Sequence, residues 1–205
     1  MNILLLSTLT ISLLHALAPD HWLPFVMIGK AQGWTKWKLT TVTILAGIGH
    51  VSSSLAIGAV GVLLGLAAER INLWESNRGN IASLLLIGFG LAYMVWGLKN
   101  WGRKHTHKLE KAKVVSYWTI FALVVFGPCE PLIPLILAGS AYGWPSVFMV
   151  FSLFGVSTIG MMLIQVHLAT FGVSLIRSHW FEHASDVIAG GVIALTGILI
   201  RVLGI

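Results

Sequence analysis

The chain has 205 residues, of which 57% are hydrophobic and 10% charged, with a formal net charge of +6. A water-soluble domain carries roughly 25% charged residues, so the composition excludes an ordinary soluble fold and points to lipid as the main solvent. The single cysteine, Cys129, excludes an internal disulfide and a CxxC redox pair within the chain.

Apolar runs fall at roughly 3–28, 39–66, 80–98, 114–138, 145–175 and 187–204. A helix needs about 20 such residues to cross the hydrocarbon. The expected fold is therefore an all-α integral membrane protein of six transmembrane helices, forming one domain over 1–205. Ala16-Leu17-Ala18 resembles a signal-peptidase site, but no basic segment precedes the apolar run. The first span is expected to be retained.

That first span reads His15-Ala-Leu-Ala-Pro19-Asp20-His21-Trp22-Leu23-Pro24. Each proline removes a backbone donor and crowds the preceding turn, so the helix is expected to break here. Irregular backbone at membrane depth is tolerated where it lines a cavity. Imidazole nitrogen with carboxylate oxygen suits a divalent first-row metal such as nickel, cobalt or zinc. The second span carries His50 within Gly47-Ile-Gly49-His50-Val-Ser52-Ser53-Ser54. His50 reads either as a ligand on a pathway opened by the glycines or as a histidine satisfied by the serines.

The loop after the third span contains His105 and His107 among lysines, which repel cations; a solvated basic loop is the favoured reading. The fourth span is broken in its turn: Phe126-Gly127-Pro128-Cys129-Glu130-Pro131-Leu132-Ile133-Pro134. A carboxylate in hydrocarbon needs a partner, which makes Glu130 a candidate ligand or counter-charge. Cys129 reads either as a soft ligand or as a small packed apolar residue. In the fifth span His167 follows Gln165 and reads equally as ligand or structural histidine. His179 and His183, flanking Glu182, read as surface residues.

Loop charge orients such a bundle. Lys30, Lys36, Lys38, Lys99, Arg103, Lys104, Lys108, Lys111, Lys113 and Arg177 lie on one side, against Arg70, Arg78 and Arg201 on the other. The basic side is cytoplasmic, which puts both termini outside the cell membrane. The same distribution accounts for the positive charge without a nucleic-acid partner. Trp34, Trp37, Trp74, Trp101, Trp144 and Trp180 stand at span ends, where aromatic belts form.

An internal repeat is visible. A shift of 110 places Asp20 on Glu130, Pro24 on Pro134, Gly29 on Gly139, Ala31 on Ala141 and Gly33-Trp34 on Gly143-Trp144. A shift of 107 places Ile81-Ala82 on Ile188-Ala189, Gly90 on Gly197, Val95 on Val202 and Gly97 on Gly204. The chain reads as two three-helix units, about 1–104 and 112–205. An odd number of spans per unit inverts the second copy, a plan common among secondary transporters with midplane sites.

The segment from His15 to His21 fits the H-x4-D-H signature of the nickel–cobalt permeases, and Gly49-His50-Val-Ser-Ser resembles the Gly-His-Ser element of their following helix. The chain also resembles the urease-accessory-type nickel transporters and nickel–cobalt exporters of the LysE-type superfamily. The Gly-Pro-Cys-Glu-Pro stretch is similar to a segment found in that superfamily, which includes cytochrome-biogenesis membrane proteins. The resemblance covers the two broken helices and the second span. It implies that His15, Asp20, His21 and His50 are metal-site residues. The permeases have about eight spans and a different acidic motif in the second half.

The expected function is secondary transport of nickel or cobalt through a site of His15, Asp20, His21, His50 and Glu130, with Cys129 and His167 as additional candidates. The metal is substrate, no permanent cofactor is expected, and the chain is not expected to be an enzyme. No Gly-x4-Gly-Lys-Ser/Thr loop is present, so a gradient, the membrane potential or a separate energising subunit is the expected drive; a homo-oligomer is a further expected partner. Two other functions compete. Thiol–disulfide electron transfer needs two cysteines in range, and one is present. Small-anion export would use positive half-helix ends, against which the two acids stand.

Overall fold

A computed structural model of the chain describes residues 1–63, 68–100, 129, 131–174 and 179–203. Among these every regular element is helical: α1 (Asn2–Ala16), a 3-10 turn (Pro19–His21), α2 (Leu23–Ala31), α3 (Lys36–Leu63), α4 (Ala68–Asn100), α5 (Leu132–Ser140), α6 (Trp144–Ser174) and α7 (His179–Leu203).

The break in the first expected span follows from its prolines. Ala18, next to Pro19, takes an extended ψ of 131°, as the residue before a proline must. Pro24 stands in the first turn of α2, where a missing N–H costs no helical bond. The indole N–H of Trp22 donates to the Leu17 carbonyl at 3.3 Å, satisfying a group the break releases. The two halves of the span meet at 74°.

α2 closes through Gly33, whose φ of 62° lets the Gly33 and Trp34 amides return to the carbonyls of Lys30 and Gly29. Without a Cβ, glycine adopts this left-handed conformation at no steric cost. α5 ends in the same manner: Gly143 has a φ of 90°, and its amide donates to Ser140. Both nine-residue helices are thus followed by a positive-φ glycine, a tryptophan and a long helix.

Among the described residues, three helices are long and apolar enough to cross a membrane: Lys36–Ile57 of α3, Gly79–Lys99 of α4 and Trp144–Gly172 of α6. The bent pair Asn2–Ala16 and Pro19–Ala31 makes a fourth if counted as one span. Their outer faces carry Leu84, Leu85 and Leu91 on α4 and Phe148, Val156 and Ile164 on α6, side chains that lipid rather than water would solvate.

The helices pack in antiparallel pairs. In α3 and α6, Gly47 faces Ile159 and Met162, and Gly155 faces Val51. α4 and α7 come closer still. A Cβ on Gly90 would lie 2.3 Å from the Ala194 nitrogen, and one on Gly190 would lie 2.3 Å from the Met94 nitrogen. Gly97 abuts Val187, and Gly197 abuts Ser83 and Ile87. Such approach of backbones is the use of small residues in membrane bundles. α2 lies at the centre: Phe25, Val26 and Ile28 pack with Leu39, Val42, Ala46, Leu86, Met162, Val166 and Ile193. A second apolar cluster joins Cys129, Leu132 and Leu135 to Val51, Val150 and Phe154.

Candidate metal centre

His15 stands on the last turn of α1, Asp20 and His21 on the 3-10 turn, and His50 midway along α3. The bend at 17–22 folds His21 back beneath His15, and the glycines at 47 and 49 thin α3 beside His50. The three Nε2 atoms converge: His21 to His15 is 3.1 Å, His21 to His50 is 3.2 Å, and His15 to His50 is 3.4 Å. The His21 ring meets His15 at 76° and His50 at 90°, while His15 and His50 lie nearly parallel.

Ligands bound about 2.0–2.1 Å from one ion, at angles from octahedral to tetrahedral, lie roughly 2.8–3.4 Å apart. The observed separations fall in that range. The three nitrogens therefore form a ready face for a single metal ion.

Asp20 fixes the tautomer. Its Oδ1 lies 2.8 Å from His21 Nδ1, so Nδ1–H donates to the carboxylate and the Nε2 lone pair is directed at the other two rings. A carboxylate behind a ligating imidazole both orients the ring and raises its basicity. Three ring nitrogens facing one another repel unless a proton or a cation lies between them. One N–H can be shared with a neighbour; a divalent ion can accept all three lone pairs together.

His21 and His50 are 3% and 2% exposed, whereas His15 is partly exposed. The Asp20 side chain retains 19% exposure. Phe154 of α6 stands 6.0 Å from the His15 ring and walls one side.

Of the other candidates, Cys129 is brought here. It is fully buried, and ligand atoms of His15, His50 and Cys129 all lie within 4.8 Å of one another. His167 is elsewhere: its Nε2 lies 2.9 Å from the Thr40 hydroxyl. Thr40 precedes His50 by ten residues on α3, about 15 Å along a helix. Glu130, His105 and His107 lie outside the described residues, as do the side chains of His179, Glu182 and His183. His50 Nε2 faces the two other imidazoles, and Ser53 Oγ donates to the His50 carbonyl at 2.8 Å.

Sequence reasoning missed the long-range polar contacts between helices, a part-buried tyrosine–aspartate pair among them. The Tyr93 hydroxyl donates to Asp186 Oδ1 at 2.7 Å, tying α4 to α7. Asp186 just ahead of the last apolar run was a visible signal, but its partner lies 93 residues away. The chain matches no protein-family model, and no curated protein and no solved structure matches it.

Proposed function

We propose that the chain is a secondary transporter for a divalent transition-metal ion, nickel or cobalt, in the cell membrane. The observation that carries this reading is the triangle of His15, His21 and His50 Nε2 atoms, with edges of 3.1–3.4 Å, at the break of a candidate span. Imidazole suits nickel, zinc, copper and iron better than magnesium or calcium. The resemblance of His15 to His21 to the nickel–cobalt permease signature narrows the choice to nickel or cobalt. Asp20 orients His21 and supplies a counter-charge, and Glu130 completes the charge balance from the second half.

The chain in this reading has six spans in two inverted units with both termini outside. Contacts between repeat mates support it. α3 and α6 are mates by the shift of 110, α4 and α7 by the shift of 107, and each pair runs antiparallel. Gly90 meets Gly190 and Ala194. Adding 107 to Gly90 and subtracting it from the other two gives Gly197 with Ser83 and Ile87, contacts that are also present. Reciprocal contacts of this kind are what a two-fold axis in the membrane plane generates. Rocking of the units about that axis exposes the site to each side in turn. At 100 mV, inside negative, a divalent ion gains roughly 4.6 kcal/mol on moving inward, enough to drive uptake without nucleotide hydrolysis.

The test is ion flux into vesicles of purified protein, across a panel of divalent ions. Wild-type protein accumulates nickel or cobalt; His15→Ala and His21→Ala, checked as folded by circular dichroism, do not. Wild-type flux in both variants rejects the site.

A further inference from the structure

All three imidazoles come from residues 15–50, whereas Cys129 belongs to the other half of the chain and lies three residues before Leu132, the first residue of α5. It is fully buried, and its Sγ and a ring nitrogen each of His15 and His50, two of the three imidazoles, lie within 4.8 Å of one another. Its position is constrained: the Leu132 amide donates to its carbonyl at 3.1 Å, and it packs with Val51, Val150 and Phe154.

We propose that Cys129 is the ligand by which the second half of the chain grips an ion held by the imidazoles of the first. The proposal rests on the metal reading above and extends it to a borderline-soft divalent ion bound by three nitrogens and a thiolate. Binding forms a sulfur–metal bond and releases the thiol proton to solvent.

Two physical arguments support it. The first is charge. A divalent ion in a low-dielectric interior needs compensation; a Cys129 thiolate places one negative charge directly on the ion, in place of the charge that Glu130 would otherwise supply from the second half, and Asp20 supplies the other.

The second is distance. A thiolate at about 2.3 Å and an imidazole at about 2.0 Å on a tetrahedral ion lie roughly 3.6 Å apart. The ligand atoms of His15, His50 and Cys129 span up to 4.8 Å. Capture of the ion therefore draws the start of α5 toward α1 and α3 by up to about 1.2 Å. Coordination and the approach of the two halves become one event, and separation of the halves strips a ligand and favours release. The thiolate also favours nickel, cobalt, zinc and cadmium over manganese and magnesium.

The experiment is cobalt(II) titration of the full chain in lipid nanodiscs, followed by absorption. Wild-type protein is expected to show visible d–d bands together with a near-ultraviolet thiolate-to-cobalt charge-transfer band. Cys129→Ser should keep the d–d bands, lose the charge-transfer band, and bind cobalt more weakly by at least the roughly tenfold to hundredfold typical of losing an outer partner. Its preference for cobalt over manganese should narrow. Wild-type d–d bands without the charge-transfer band would overturn the thiolate ligand while leaving the imidazole site standing; Cys129 would then only pack. Absence of any cobalt band in wild-type protein would overturn both readings. Because the wild-type spectrum decides, the outcome does not depend on the variant folding.

Discussion

The break at 17–22 and the described residues ahead of α5 lead into one backbone device with different chemistry. After each, a nine-residue helix runs to a glycine with positive φ, and a tryptophan then opens the next stretch. α2 is buried from Pro24 to Gly29 and holds the centre of the main core. α5 buries Leu132, Ile133, Leu135 and Gly139 but leaves Pro134, Ala138 and Ser140 exposed. The break supplies His15, Asp20 and His21; the described part of the segment ahead of α5 supplies Cys129. Prolines and glycines therefore set the path of the chain, while the side chains hung on that path are free to differ. The side chains ahead of α2 and ahead of α5 differ even though both helices end in the same turn.

Substitutions test this asymmetry. The largest effect is expected at the break. His21→Ala removes a ligand and leaves Asp20 without its partner, so metal binding in calorimetry should vanish; residual wild-type affinity would show that His15 and His50 suffice. Asp20→Asn should keep the ligands but lose the carboxylate behind His21, weakening binding roughly tenfold to hundredfold. An unchanged isotherm would mean that the ring is held by packing alone.

Contacts between the halves come next. Gly90→Ala places a methyl group against the Ala194 backbone, an overpacking expected to cost about 1–3 kcal/mol in thermal or denaturant unfolding. Gly33→Ala and Gly143→Ala probe the matched turns, where a Cβ in the left-handed region costs about 1–2 kcal/mol. Neither added Cβ meets anything within 3.5 Å, so the penalty is conformational, and the two variants should lose similar stability. A large inequality would mean that the turns are not equivalent. His167→Ala is expected to leave metal affinity unchanged, because its imidazole bonds Thr40 about 15 Å along α3 from His50. A tenfold loss of affinity there would place it on the ion's path.

Much of this protein was legible in the residues themselves. Composition decides the solvent, because so few charged groups cannot cover a fold in water. Pro19 and Pro24 dictate the break, since a ring in place of an N–H acts locally, and Gly33 and Gly143 dictate turns for the same reason. The H-x4-D-H spacing marks His15, Asp20 and His21 as neighbours of one bend. Only the tertiary structure decided the rest. His50 is 29 residues from His21, and nothing in a linear spacing says that its Nε2 reaches 3.2 Å. A lone cysteine reads first as packing, and only the tertiary structure sets Cys129 beside His15 and His50. Tyr93 meets Asp186 only because the glycines of α4 and α7 let two backbones touch. Local conformation depends on covalent neighbours, which a sequence spells out; ligand convergence depends on which helices pack together, and that is settled by burial across the whole bundle.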